Sequence, residues 1–345
     1  MLIIGWYSSF LMVSVFLAQF INHWIIAWML LELSSLSLIP IFCIKGTPRT
    51  MEASVKYFLF QAIASIILLV GIFLQYMESG SFNISGLGSS VSNLVLLVAL
   101  SIKLGVFPSH FWFVDVMSGF GFVECFYVAV VSKILPLLFL INSSLKTNDG
   151  LFLIVGSVSI LVGSILGISQ VQVRKLLALS SIAHLGWLII IIPYSEKIIV
   201  WFLFFCYIFM LGSIISSCNN LAYSSIKNKA NIMSSNIFIL VGLLSLAAFP
   251  PTLGFFYKWI IFFITIGNFN YLVSGILVIG GLISLFFYVN IVFNIYCISW
   301  PQNKSVFSNA FINNSNLGLL VGLVGLQVIL LFVGYVGSIS SIFMV

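Results

Sequence analysis

The sequence predicts an all-α polytopic membrane protein with eleven transmembrane helices, ten of them in two inverted five-helix repeats. Three observations predict it. Of 345 residues, 62% are hydrophobic and only 6% charged, whereas a soluble domain carries about 25% charge. Apolar runs of about 20 residues, the length that crosses a bilayer, recur along the whole chain. Two of those runs, in matching positions of the two halves, hold prolines that a lipid-embedded helix tolerates only where the freed backbone groups find partners.

The first span, 2–20, is apolar from its second residue and has neither the basic leader of a signal peptide nor the Arg-rich pattern of a transit peptide. The chain is therefore expected to insert as made. The second span, 24–44, contains Glu32 in "WMLLELSSLSLIPIF", the one carboxylate deep inside a run. The third, 55–77, begins beside Lys56, which is expected to snorkel to the interface. The fourth, 93–116, carries Lys103 five residues before Pro108 in "SIKLGVFPSHFW", with His110 just past the break. The fifth, 122–141, carries Lys133 in "AVVSKILPLL". Asp115 and Glu124 flank the turn between these two spans and are expected to be solvated.

The sixth span, 151–169, is uncharged. The seventh, 175–192, holds His184 near its start, where half burial is expected. After an eighth span, 198–221, the ninth, 236–265, breaks at Pro250-Pro251 and carries Lys258 seven residues later in "FPPTLGFFYKW". A tenth, 270–297, and a C-terminal helix, 317–342, complete the set. The organisation is one integral membrane domain over 1–345, with a first repeat at 1–141, a second at 151–297 and the last helix outside both.

Loop charges test this count. Lys45, Arg49, Arg174, Lys175, Lys227, Lys229 and Lys304 all fall in even-numbered connections, and only Lys146 and Lys197 fall in odd ones. One helix too many or too few would scramble that bias, which under the positive-inside rule places the N-terminus on the matrix or cytoplasmic side. Five helices per half is an odd number, so the second half must be inverted relative to the first. The breaks lie about 142 residues apart and the half starts about 149. Inverted repeats with paired broken helices point to an ion path near the midplane.

Removing the loop cations leaves Lys56, Lys103, Lys133 and Lys258 in or at the edge of spans. A charge at the bilayer centre costs roughly 2.5–3.5 kcal/mol on insertion scales and defaults to a functional group. An amine held out of water can exchange a proton near neutral pH, and a nearby carboxylate opposes the loss of that proton. A movable Glu–Lys pair is thus a switch. Glu32 and Lys103 are the candidate pair, Lys133 a relay between halves and Lys258 a terminal site. His184 and His110 are candidate relays because imidazole titrates near neutrality; packing is the bland reading of each. Ser34, Ser35 and Ser37 are placed to solvate the carboxylate. One carboxylate against three deep lysines favours protons over a metal cation, which would want several hard oxygen ligands.

Other classes are excluded. The five cysteines are scattered, with no C-x-x-C spacing, so neither a metal site nor a disulfide frame is expected. No glycine-rich phosphate loop or dinucleotide fingerprint is present, and the net charge of +6 is dispersed rather than clustered for nucleic acid.

"WMLLELSSLSLIPI", "MEASVKYFLFQAIAS", "KLGVFPSHFW", "RKLLALSSIAHLGW" and "FPPTLGFFYKW", in that order from Trp28 to Trp259, resemble the antiporter-like membrane-arm subunits of respiratory complex I, the NADH–ubiquinone oxidoreductase. The resemblance implies a multi-pass subunit of the mitochondrial inner membrane that translocates protons. NADH, FMN, iron–sulfur clusters and ubiquinone are then handled by other subunits, with no cofactor on this chain. It implies as partners the other membrane-arm subunits, further antiporter-like chains among them, together with membrane lipids and no nucleic acid. It carries over Glu32, Lys103, Lys133 and Lys258 as proton-path residues and His184 as an intermediate. The sequence departs from the family pattern at Ser109 (usually Phe), at Ser34 (usually Asn) and at Ala247-Ala248, where a glycine pair is usual. Two rival readings stay open: a stand-alone cation/proton antiporter, and an inert structural scaffold of the membrane arm.

Overall fold

Helix ends are set by local chemistry, and two of them decide where the site lies. The computed structural model describes residues 2–44, 46–84, 86, 88–143, 149–170, 172–224, 239–250 and 252–299. Pro251, the C-terminal helix expected at 317–342, and the loop cations Lys45, Lys146, Lys227, Lys229 and Lys304 lie outside them. The secondary structure described is helical apart from an isolated bridge between His23 and Asn83.

The first of two compact units runs to Val200. Its helices are α1 (Leu2–Ala18), α2 (Trp24–Cys43), α3 (Pro48–Ser79), α4 (Ser90–Leu104), α5 (Phe111–Gly119), α6 (Phe122–Phe126), α7 (Ser132–Asn142), α8 (Asp149–Ile168) and α9 (Val173–Ile191). A π-helical turn, Tyr127–Val131, joins α6 to α7. The second unit begins within α10 (Lys197–Ser224) and continues through α11 (239–247), α12 (Leu253–Gly267) and α13 (Tyr271–Ser299). Seven helices or joined helices among the described residues are long and apolar enough to cross a membrane, and α4 and α12 are shorter apolar pieces. The chain is an all-helical membrane protein over its described length.

α3 starts earlier than its hydropathy predicts. Thr47 caps it by accepting from the Thr50 amide at 3.4 Å, and Pro48 occupies the first turn, where its missing N–H is harmless. The helix closes on Gly80 in the left-handed conformation, φ 66°. Its 32 residues span roughly 48 Å, more than the hydrocarbon core. The added turns carry Glu52, whose carboxylate pairs with the Lys56 ammonium at 2.6 Å. At the other end, the connections pair: Trp24 N donates to Phe82 O and Ile84 N to Asn22 O. His23 lies half-buried there, its ring 5.4 Å from that of Phe82.

α9 is enclosed on every side, with each residue from Leu176 to Ile191 buried. Small residues make this so. A Cβ on Gly163 would stand 2.7 Å from Leu179 O, and one on Gly186 2.8 Å from Gly156 O. α8 and α9 therefore meet nearly backbone to backbone, as small residues permit in membranes. His184 accordingly sits in mid-helix at 3% exposure, not half-buried near a helix start as its sequence position suggests.

Both breaks use the same hydrogen-bond pattern. α4 ends on Gly105 (φ 71°), with Gly105 N donating to Ile102 O and Val106 N to Ser101 O. α11 ends on Ala248 (φ 65°), with Ala248 N donating to Ser245 O and Phe249 N to Leu244 O. Each is a Schellman-type stop. At the first the left-handed residue is glycine; at the second it is alanine, which costs about 1–2 kcal/mol there.

Candidate functional site

The stop at Gly105 leaves Lys103 in the last turn of α4, 1% exposed. A helix C-terminus carries partial negative charge and favours a cation beside it. The Lys103 carbonyl, freed by the break, accepts from Nε2 of Gln61 on α3 at 3.3 Å. That carbonyl is thus paired within the protein. From α2, Glu32 brings Oε2 to 3.9 Å from Lys103 Nζ. That is an ion pair but not a hydrogen bond. Neither atom has a hydrogen-bond partner among the described residues.

The serines after Glu32 are otherwise engaged. Ser34, Ser35 and Ser37 donate to the carbonyls of Leu31, Glu32 and Ser34, the three-back bond that short hydroxyl side chains make within helices. Their protons go to their own backbone instead of solvating the carboxylate.

Lys133 follows the π turn, at 1% exposure; such turns recur at functional sites. Its Nζ donates to Ser181 Oγ at 3.4 Å and lies 3.9 Å from the ring centroid of Phe113 on α5. Ser181 is three residues before His184 on α9, the spacing that puts both on one helix face. In the second unit, Lys258 on α12 donates to Ser284 Oγ on α13 at 2.9 Å. Each of these two lysines therefore meets a serine hydroxyl, a group that both gives and accepts a hydrogen bond.

His110 is buried directly before α5, its ring 3.9 Å from that of Phe111. Asp115 is exposed, but Glu124 is 6% exposed and not solvated as its turn position suggests. The corner around it is packed: Arg174 donates to Phe120 O, and Cys125 Sγ to Met117 O and Phe120 O. Gln61, Phe113, Ser181 and Ser284 were not singled out from sequence. Gln61 had a signal, an amide alone in the apolar run "KYFLFQAIAS"; a Phe or Ser in a membrane helix has none.

Residues 21–284 match the family described as NADH:quinone oxidoreductase/Mrp antiporter, transmembrane. The chain belongs to that family. It is 34% identical over 301 residues to NADH-ubiquinone oxidoreductase chain 2 of Canis rufus, covering 86% of each. The fold is shared more widely across this NADH:quinone oxidoreductase/Mrp family. A chain of respiratory complex I from Thermus thermophilus superposes with TM-score 0.81 at 20% identity, over 98% of this chain and 79% of the other. A chain of the Mrp complex from Dietzia sp. superposes with TM-score 0.78 at 16% identity, over 95% and 74%.

Proposed function

We propose that this chain is a proton-translocating membrane-arm subunit of NADH:ubiquinone oxidoreductase in the mitochondrial inner membrane. The observation that carries the reading is the approach of Glu32 to Lys103 at a helix break, in a chain of this family. A carboxylate 3.9 Å from the amine holds its proton; moving the carboxylate away releases it, because burial disfavours an uncompensated charge. Lys133 relays between the halves and Lys258 is the terminal site. His184, on the same face as Ser181, is the intermediate beside Lys133, and His110 is a further relay at the break.

The same reading has eleven spans, with helices 1–5 and 6–10 as inverted repeats and the N-terminus on the matrix side. The chain is a translocase component without a redox centre. NADH, FMN, iron–sulfur clusters and ubiquinone belong to other subunits, and its partners are the remaining membrane-arm chains and lipid. The test is the number of protons pumped per NADH oxidised, in membranes with normal content of the assembled complex. Lys103→Ala is expected to lower that ratio, and full pumping by it overturns the reading.

The family's description, which names an antiporter beside the oxidoreductase, supports a second reading, a stand-alone cation/proton antiporter. Exchange activity of this chain alone in proteoliposomes would establish it; dependence on the assembled complex excludes it.

A further inference from the structure

Phe113 touches both the break in α4 and the amine of Lys133. Its side chain is wholly buried. One contact is the ammonium, 3.9 Å from the ring centroid. The other is Gly105, where an added Cβ would stand 2.9 Å from Phe113 Cβ and 3.0 Å from Cγ. Gly105 is the left-handed residue that ends α4, two positions after Lys103. The ring therefore bridges the last turn carrying one buried lysine and the amine of the next.

We propose that Phe113 is a positioning residue for Lys133, holding its amine against Ser181 and transmitting displacement of the α4 break to it. This rests on the reading of Lys103 and Lys133 as parts of one proton path. An amine on a four-carbon stem has many rotamers, and a single hydroxyl at 3.4 Å fixes it poorly. No ion pair joins Lys133 to a carboxylate among the described residues. The ring face supplies the missing constraint, because the aromatic quadrupole attracts a cation above the ring centre, and more strongly where water is excluded. Close packing against Gly105 makes the constraint responsive. With no space for even a methyl group between them, movement of the end of α4 must displace the ring, and close-packed interiors transmit such displacements. A purely apolar packing role would be served equally by leucine or methionine, which fill similar volume without a π face.

The experiment measures protons pumped per NADH oxidised by the assembled complex carrying Phe113→Leu, Phe113→Met, Phe113→Tyr or Lys133→Met. Because the ratio is taken per turnover of assembled enzyme, reduced assembly in one variant leaves it readable. The two ring-less variants are expected to show at least about half the drop seen in Lys133→Met, and Phe113→Tyr, which keeps the ring, to recover most of it. An unchanged ratio in either ring-less variant overturns the proposal, as does a tyrosine variant no better than leucine. Impaired Lys133→Met with normal Phe113→Leu overturns this proposal alone. Normal pumping by Lys133→Met overturns the proton-path reading and this proposal with it.

Discussion

Glu32 Oε2 on α2 and Lys103 Nζ on α4 stand 3.9 Å apart, near enough for charge attraction and too far for a hydrogen bond. Attraction between unit charges at about 4 Å is roughly 1–4 kcal/mol for effective dielectrics of 80 to 20, and it halves when the separation doubles. A small movement of either helix therefore changes how firmly the amine holds its proton. Glu32→Gln, which keeps the shape and removes the charge, is expected to lower protons pumped per NADH while leaving assembly intact. Lys103→Arg is expected to behave like Lys103→Ala, because a guanidinium does not release its proton. Normal coupling in Lys103→Arg would show that only the positive charge matters.

Gln61 holds the carbonyl that the α4 break sets free. Gln61→Leu leaves that buried acceptor unpaired, a penalty of about 1–3 kcal/mol. The expected result is faster thermal inactivation together with lowered pumping. Unchanged heat resistance in membranes would mean that the carbonyl finds another partner.

The left-handed stops respond oppositely to substitution. Ala248→Gly relieves φ 65° and is expected to stabilise the second break by about 0.5–1 kcal/mol. Gly105→Ala meets both φ 71° and the Phe113 side chain and is expected to cost more than that, read as loss of assembled complex on a native gel. Equal tolerance of both changes would contradict the geometry.

The two serine contacts are separable. Ser181→Ala and Ser284→Ala each remove the hydroxyl that accepts from Lys133 or Lys258. Both are expected to reduce pumping, and Ser181→Thr and Ser284→Thr to restore it in part. Restoration in neither would argue that volume at these positions, rather than the hydroxyl, is what counts.

Sidedness is checked by single cysteines placed at Lys175 and Lys197 and labelled by an impermeant reagent from each face. Opposite accessibility is expected from the loop-charge bias. Labelling from the same face would remove the basis for the eleven-span count.

The sequence by itself determined the membrane environment, the all-helical class and, to within a few residues, where two helices break. These follow from hydrophobic run length, from proline and from the expense of lysine in lipid, each a property of neighbours along the chain. It also singled out Glu32, Lys103, Lys133 and Lys258 by the same expense. Only the tertiary structure decided what those side chains meet. That Glu32 faces Lys103, that Ser181 and Phe113 meet Lys133, and that Ser284 accepts from Lys258 are contacts between different helices. Hydropathy contains no term for the rotation of one helix against another. The burial of His184 and Glu124 was hidden for the same reason: the glycines that draw α8 onto α9, and the packed corner around Phe120, enclose residues whose own neighbours in sequence suggest exposure.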